Sequence, residues 1–371
     1  MHPRIIFESE RSENERSENE KVARVLSLFT GMGGMDIGFA EEVVVRRESV
    51  DPSFVAGEYP IPGFVRLNRM PFEVVFQNDI LPEAKRVCEW NRWNRNYHLE
   101  DIRDILASGR PLPSAEVVIG GFPCQDFSHA GKRGGLGTMR GTLYQSFVEV
   151  VRRVQPLVFV AENVHGLLTM PGGPIERITS DFADVGYEVS HQLVKCEEHG
   201  VPQTRWRVVI TGVRRDRRHL VPDDWNRIEN RVRCPVGPYF EHLAEPDVSP
   251  DPAQRVYSKA ARLAKGQGQK EIRMEDCAPT IRAEHHGNIE FRRYATDTLP
   301  ERRLSVREAA LIQTFPPDCT LTGDRPTSAA YRPIGNAVPP LLGYLIARRV
   351  HAAITALSAP ESEITPSSAA S

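Results

Sequence analysis

Short apolar runs that alternate with helix-patterned stretches constrain this chain more than any other feature. Val22–Phe29, Phe72–Gln77, Val117–Gly120, Leu157–Ala161 and Arg207–Thr211 read as strands. A helix is expected from about Met35 after the first run, and over Pro82–Asn91 after the second. A strand that is followed by a helix rejoins its sheet as a parallel neighbour, and the helices cover the faces. The expected fold is therefore α/β, a doubly wound Rossmann-like sheet. Chemistry in such a sheet sits in the crevice at the carboxyl ends of the strands.

Two regions break the alternation. Residues 46–71 hold prolines, glycines and few periodic apolar residues, and read as an inserted loop. From Arg214 to Thr298 the pattern is irregular, basic and rich in turn residues, which predicts a second, smaller domain over 214–300. Ser305–Thr314 then resumes as a helix, with Ser305 and Glu308 spaced as a capping box. Pro339–Leu357 reads as an amphipathic helix with Leu342, Leu345, Ile346 and Val350 near one face. Residues 301–357 are thus expected to return to the first domain, which spans 21–213. The pentapeptide Arg11–Glu15 recurs as Arg16–Glu20, and a polar repeat offers no face to a core. Residues 1–20 and the Ala-, Ser- and Pro-rich tail 358–371 are expected to be disordered.

At 371 residues the chain can bury a full core. No stretch approaches the roughly 18 apolar residues of a membrane helix, and the charged amino terminus lacks a signal-peptide apolar run, so a cytoplasmic protein is expected. The six cysteines are scattered without Cys-x-x-Cys spacing, which argues against zinc and against a secreted disulfide framework; reduced thiols and no metal are expected. The formal charge of −2 conceals an asymmetry. Arg205, Arg207, Arg214, Arg215, Arg217 and Arg218 crowd one span, and Arg282, Arg292, Arg293, Arg302, Arg303 and Arg307 form a second set. Such clusters suit a phosphate-tracking surface, or simply a solvated charged face.

The residues that carry chemistry lie at the ends of the expected strands. Val117-Val118-Ile119 runs into Gly120-Gly121-Phe122-Pro123-Cys124-Gln125-Asp126-Phe127-Ser128, a strand ending in a tight loop that presents a thiol. Cys124 is a candidate nucleophile there, although lone cysteines often serve as small core residues. Phe29-Thr30-Gly31-Met32-Gly33-Gly34 is a glycine turn between strand and helix, fit for close approach of a ligand. Its spacing is not the Gly-x-Gly-x-x-Gly of dinucleotide sites. Asp79 closes the next strand, where a carboxylate can hold ribose hydroxyls or make a turn. Glu162 follows Leu157–Val160, as a general acid or as half of a salt bridge. In Gln203-Thr204-Arg205-Trp206-Arg207 both arginines fall on one strand face. Lys132 to Gly141 holds four glycines, two arginines and a lysine, the make-up of a closing loop or an ordinary flexible one.

Taken in order, the glycine turn, Pro123-Cys124-Gln125, Glu162-Asn163-Val164, the Gln203–Arg207 segment and Gly335-Asn336-Ala337-Val338-Pro339-Pro340 resemble the signature segments of the DNA (cytosine-5)-methyltransferases. The resemblance spans about residues 22–350, leaving out 46–71 and most of 214–300. It implies methyl transfer from S-adenosylmethionine to C5 of a cytosine flipped out of double-stranded DNA, in a bacterial restriction–modification setting. It assigns Cys124 as nucleophile, Glu162 as the acid beside N3 and the exocyclic amine, and Arg207 at the base carbonyl, with Arg205 bracing the site or a phosphate. For the cofactor it implies Phe29, Gly31, Met32, Gly33, Asp79, Ile80, Asp101, Ile102, Pro123, Leu143, Asn336 and Val338. Where the family often has Asp two positions before the Phe, this chain has Ser27. For DNA it implies Gln125, Ser128, Gln203 and the pair Thr280-Ile281 of a target-recognition domain at 214–300, with the loop at 132–141 closing over the duplex. His129 is read as a loop residue, because the family uses no histidine base there. A monomer is expected, with a cognate endonuclease that need not bind it. A tRNA cytosine-5 methyltransferase is the main rival, but that group's Cys-Phe-Thr tripeptide is absent. Intact Cys124, Glu162 and Arg207 speak against a catalytically dead DNA-binding relative. A cysteine hydrolase would need a His–Asn/Asp set that the chain does not supply.

Overall fold

The structure is a computed structural model that describes residues 21–123, 143–258, 271–283, 292–293, 301–323 and 328–358. In chain order the elements that matter are β1 (Ala23–Leu28), α1 (Gly34–Ala40), β2 (Val44–Arg46), β3 (Val55–Glu58), β4 (Phe64–Leu67) and β5 (Phe72–Asp79). They continue with α2 (Pro82–Asn91), β6 (Tyr97–Leu99), α3 (Ile102–Ala107), β7 (Val117–Gly120), α4 (Leu143–Val154), β8 (Val158–Val164) and α5 (Pro174–Asp184). Then come β9 (Tyr187–Lys195), β10 (Gln203–Thr204), β11 (Trp206–Arg214), β12 (Glu271–Ile272), β13 (Ala278–Pro279), α6 (Val306–Ile312), α7 (Tyr331–Asn336) and α8 (Pro340–Ser358).

The central sheet has the order β6-β5-β1-β7-β8-β11-β9. Its first five strands are parallel, and β11 runs antiparallel to both β8 and β9. The parallel strands are apolar on both sides, as strands covered by helices must be. Val25, Val117, Ile119, Val158, Val160 and Val209 face one core, and Leu26, Leu28, Val118, Phe159, Val208 and Ile210 face the other. On the second face α4 and α5 lock together through Phe147, Phe159 and Phe182, with the last two rings stacked at 4.1 Å. The first face carries α1 and α8, and its core continues without a break into Trp225, Val236, Tyr239 and Ile281. The expected α/β architecture is observed, with a mixed edge where the last two strands reverse direction.

The inserted loop is not a loop. β2, β4 and β3 form an antiparallel sheet of their own, with Phe64 and Val65 fully buried. Turns at 47–54 and 59–63 interrupt the period-two pattern, so no run was long enough to read as a strand. This small sheet grips the region that follows β11. Ser49 Oγ lies 2.8 Å from Tyr239 Oη, and Asn230 Nδ2 donates to the Ser49 carbonyl at 2.9 Å. Arg46 pairs with Glu48 and with Glu241. The capping box at α6 is present: Glu308 N donates to Ser305 Oγ, and Ser305 N donates to Glu308 Oε2.

The basic run after β11 departs from its expected role. Because β11 is antiparallel, Arg207 stands at the carboxyl ends of the parallel strands, whereas Arg214–Arg218 stand at the opposite end. There Arg214 pairs with Asp216, Arg218 pairs with Glu188 and Asp223, and Arg217 donates to the Leu357 carbonyl. In the second set Arg302 is held by Glu245 and Glu308, and Arg307 by Asp251 and the Cys319 carbonyl. These arginines are engaged as intramolecular anchors.

Candidate active site at the carboxyl ends of the strands

β7 and β8 run side by side, with Gly120 opposite Ala161. The next residue of each, Gly121 and Glu162, therefore emerge together at the sheet edge. A Cβ on Gly121 would stand 3.0 Å from Glu162 Oε2, so glycine lets the loop pass the carboxylate. Asn163 Nδ2 donates to the Phe122 carbonyl at 2.9 Å and fixes the start of the loop that carries Pro123. Asn163 was quoted in the sequence only as part of its motif; its tethering role depends on strand register. Cys124, Gln125, Ser128, His129 and the 132–141 loop lie outside the described residues.

Glu162 and Arg207 project from the same face, since Glu162 is opposite Val209 and Arg207 lies two residues before it. Arg207 Nε is 2.7 Å from Glu162 Oε1, and both side chains are nearly buried. The angle falls short of a hydrogen bond, so Oε1 accepts none within the described chain. Arg207 Nη1 donates to the Trp206 carbonyl, which aims the guanidinium.

Arg205, two residues earlier, is used differently. It is fully buried and donates to the carbonyls of Ile281, Gly335 and Ala337. Burial, with the nearby Arg207 charge, pulls its pKa down to about 9, which still leaves it charged at neutral pH. It braces the joint between β10, the strand region near Thr280 and the Asn336 segment, and does not face Glu162. Gln203 is also buried. Its Oε1 accepts from Ile281 N at 2.8 Å and its Nε2 donates to Gln313 Oε1. Gln313 in turn donates to the carbonyls of Ile334 and Ala337. Gln203 and the Ile281 side chain, both expected at DNA, are interior. Thr280 is half-buried, with Oγ1 donating to the Thr204 carbonyl. Gln313 carried no sequence signal, because a buried glutamine in a helix end looks like a surface one.

The glycine turn sits at the end of β1. Gly31 N donates to Asp79 Oδ2 at 2.8 Å, and Leu81 N donates to Asp79 Oδ1. Burial raises the Asp79 pKa. Tyr97 Oη donates to the Gly31 carbonyl at 2.9 Å. A Cβ on Gly34 would lie 2.0 Å from the Val338 carbonyl, so glycine allows the Asn336–Val338 segment to close against the turn. Phe29 is half-buried, Asn336, Pro123 and Ile80 are exposed, and Leu143 is half-buried at the start of α4. Asp101 caps α3 by accepting from Arg103 N, and the Arg103 guanidinium lowers its pKa. Met32, Gly33 and Ile102, expected at the cofactor, are buried, and Val338 is 8% exposed. Phe29 and Gly31 are the half-buried residues of the turn.

All five described cysteines have thiols raised by burial. Cys196, beneath the arginine strand, is pushed up to about 12, and Cys234 and Cys319 to about 11; Cys88 and Cys277 shift the same way. Among the described residues there is no cluster of metal-ligating side chains, and no helix is long and apolar enough to cross a membrane.

Residues 23–352 match the family of C-5 cytosine-specific DNA methylases. The chain is 33% identical over 353 residues to the Type II methyltransferase M.BspRI of Lysinibacillus sphaericus, covering 88% of this chain and 81% of that one. It is 30% identical over 354 residues to the Type II methyltransferase M.BsuRI of Bacillus subtilis, covering 87% and 78%. Among solved structures, the S. pombe Dnmt2 methyltransferase superposes with a TM-score of 0.60 at 16% identity, over 90% of this chain and 99% of that one. At that identity the likeness speaks for the fold alone.

Proposed function

The chain belongs to the C-5 cytosine-specific DNA methylases, and from that premise we propose that it methylates a flipped-out cytosine through Cys124, Glu162 and Arg207, as the modification enzyme of a restriction–modification system. Its kinship with Type II methyltransferases supports the setting and favours DNA over tRNA as substrate.

The observation that carries the residue assignment is the Glu162–Arg207 ion pair, fixed at the strand ends beside Gly121–Pro123, with Glu162 Oε1 accepting no hydrogen bond among the described residues. An acid and a cation held side by side match the polar edge of cytosine, with an exocyclic amine and N3 next to a carbonyl oxygen. Cysteine chemistry supports Cys124 as well. The thiolate is the nucleophile, and burial disfavours it at each of the five other cysteines.

Cytosine C5 is a poor nucleophile. The Cys124 thiolate adds to C6 and Glu162 gives a proton at N3, which makes the ring an enamine able to attack through C5. Arg207 binds the carbonyl oxygen as charge builds there. Loss of the C5 proton to solvent and expulsion of the thiolate, with return of the N3 proton to Glu162, then release the product. S-adenosylmethionine, when bound, supplies the electrophilic methyl group. The residues fit it: a Cβ on Gly31 would meet nothing within 4 Å, Asp79 keeps lone pairs for a ribose hydroxyl, and Ile80 is 62% exposed beside it. Residues 214–300 are proposed to read the target sequence, with Thr280 at their inner edge.

The test is a duplex carrying 5-fluorocytosine at target sites, together with mass spectrometry of ordinary digested DNA. Fluorine blocks the final proton loss, so Cys124 should stay covalently joined to the DNA, and 5-methylcytosine should be the product. A trapped peptide holding another cysteine, or N4-methylcytosine as product, would refute the assignment.

A further inference from the structure

We propose that Asp36 is a positioning residue for the cofactor turn: its ionised carboxylate ends a one-way chain of hydrogen bonds that holds Phe29–Gly33 in the shape that receives S-adenosylmethionine. The proposal rests on the cofactor reading above and concerns a residue that the reaction itself does not use.

Asp36 lies in the first turn of α1, directly behind the glycine turn, and is 2% exposed. Ser27 Oγ donates to its Oδ2 at 2.9 Å, and Gln77 Nε2 donates to its Oδ1 at 2.9 Å. Ser27 Oγ has one proton, and the carboxylate takes it. The 2.9 Å contact between Ser27 Oγ and Thr30 Oγ1 is then open to the Thr30 proton, which Thr30 Oγ1 shares with the Ser27 carbonyl at 3.3 Å. Thr30 Oγ1 in turn accepts from Asn78 N at 3.3 Å. The chain runs Asn78 to Thr30 to Ser27 to Asp36, and an acceptor-only terminus sets its direction. It ties the end of β1, the turn and the end of β5 together. Asn78 is the neighbour of Asp79, which receives the Gly31 N–H.

A protonated Asp36 would face two donors with a donor of its own. Burial, opposed in part by Gln77 and Ser27, raises its pKa from 3.8 to about 6. The folded protein thus holds this proton more tightly than the unfolded chain. The stability so gained is full below the ordinary carboxylate range and is lost as pH rises through about 6. At neutral pH the ionised carboxylate therefore weighs against folding, which is the mark of a group kept for a task other than stability. The other titratable groups facing Asp36 are Glu41 at the end of its own helix, Cys88 on α2 and Tyr97 on β6, and the last two also face Asp79 on β5. Glu41 and Asp79 are also raised, so a pH profile needs the variant to assign it.

The experiment is calorimetric binding of S-adenosylhomocysteine from about pH 5 to pH 8, with thermal melting, on the full chain and on Asp36→Asn. If only the ionised form keeps the turn in shape, wild-type affinity should weaken about tenfold from neutral pH to pH 5. Asp36→Asn should bind about tenfold more weakly at pH 7.5, with a flat profile, yet melt no lower than wild type. A merely structural role would instead lower the melting temperature and leave the pH profile unchanged. Ser27→Ala cuts the chain without touching the carboxylate, and should also weaken binding and flatten the profile. Wild-type affinity and pH dependence in either variant would overturn the proposal. Failure of the wild-type protein to bind S-adenosylhomocysteine at any pH would overturn the cofactor reading along with it.

Discussion

The two ends of β11 carry the same kind of residue in opposite circumstances. At its start Arg207 meets Glu162 in a nearly dry site, at the end of the sheet where β7 and β8 deliver their loops. At its finish Arg214 leads into a run in which Arg214 and Arg218 are taken up by the exposed carboxylates Asp216, Glu188 and Asp223, and Arg217 by a carbonyl. Arginine count in the sequence ranks the second region above the first as a nucleic-acid surface. Strand direction reverses that order. Charges near water are screened and paired at little net gain, whereas a charge held in a low-dielectric cleft acts strongly on whatever enters it.

Four substitutions test this contrast. Glu162→Gln should have the largest effect, slowing turnover by about 10³-fold while leaving cofactor and DNA binding within about threefold, since shape is kept and the acid is lost. Single-turnover methylation with separate binding titrations measures it, and residual turnover above about a tenth of wild type would remove Glu162 from the proton step. Arg207→Ala should slow the reaction by about 10²-fold with little change in melting temperature, because its charge serves the reacting base. Arg205→Met should reverse that pattern. It removes the Arg205 donor from the carbonyls of Ile281 and Gly335 and leaves Ala337 with Gln313 alone, at a cost of about 2–4 kcal/mol, so thermal melting should fall by several degrees before activity is considered. An Arg205 variant that melts like wild type but is dead would move this residue into the catalytic group. Arg218→Gln should do least: its exposed pairs contribute about 0–1 kcal/mol, and the salt dependence of DNA binding should keep its slope. A shallower slope in that variant would show that the far end of β11 touches phosphate after all.

Much of the fold was legible because parallel strands covered on both faces must be apolar runs between helices. Pro82–Asn91 and Val117–Gly120 are observed with the bounds expected of them, and the Ser305 capping box with its partners. The sheet at 44–67 was not legible, because its short strands are divided by turns and its stability comes from packing on Tyr239 and Asn230, far along the chain. The same division runs through the site. The family resemblance implied that Glu162 and Arg207 serve one site, whereas their pairing follows from strand register.

What the sequence determined by itself was therefore local: which runs are strands, where turns follow them, and which residue types stand at their ends. Only the tertiary structure decided which of those residues face the cleft. Gln203, Met32, Ile102 and Ile281 lie within motif segments, yet their side chains are interior. Arg205 and Arg207 are two residues apart, and that step separates three carbonyls from a carboxylate. The physical reason is that burial and partner are set by what other parts of the chain bring alongside. A desolvated cation binds whichever acceptor lies within reach, and reach is a property of the assembled sheet.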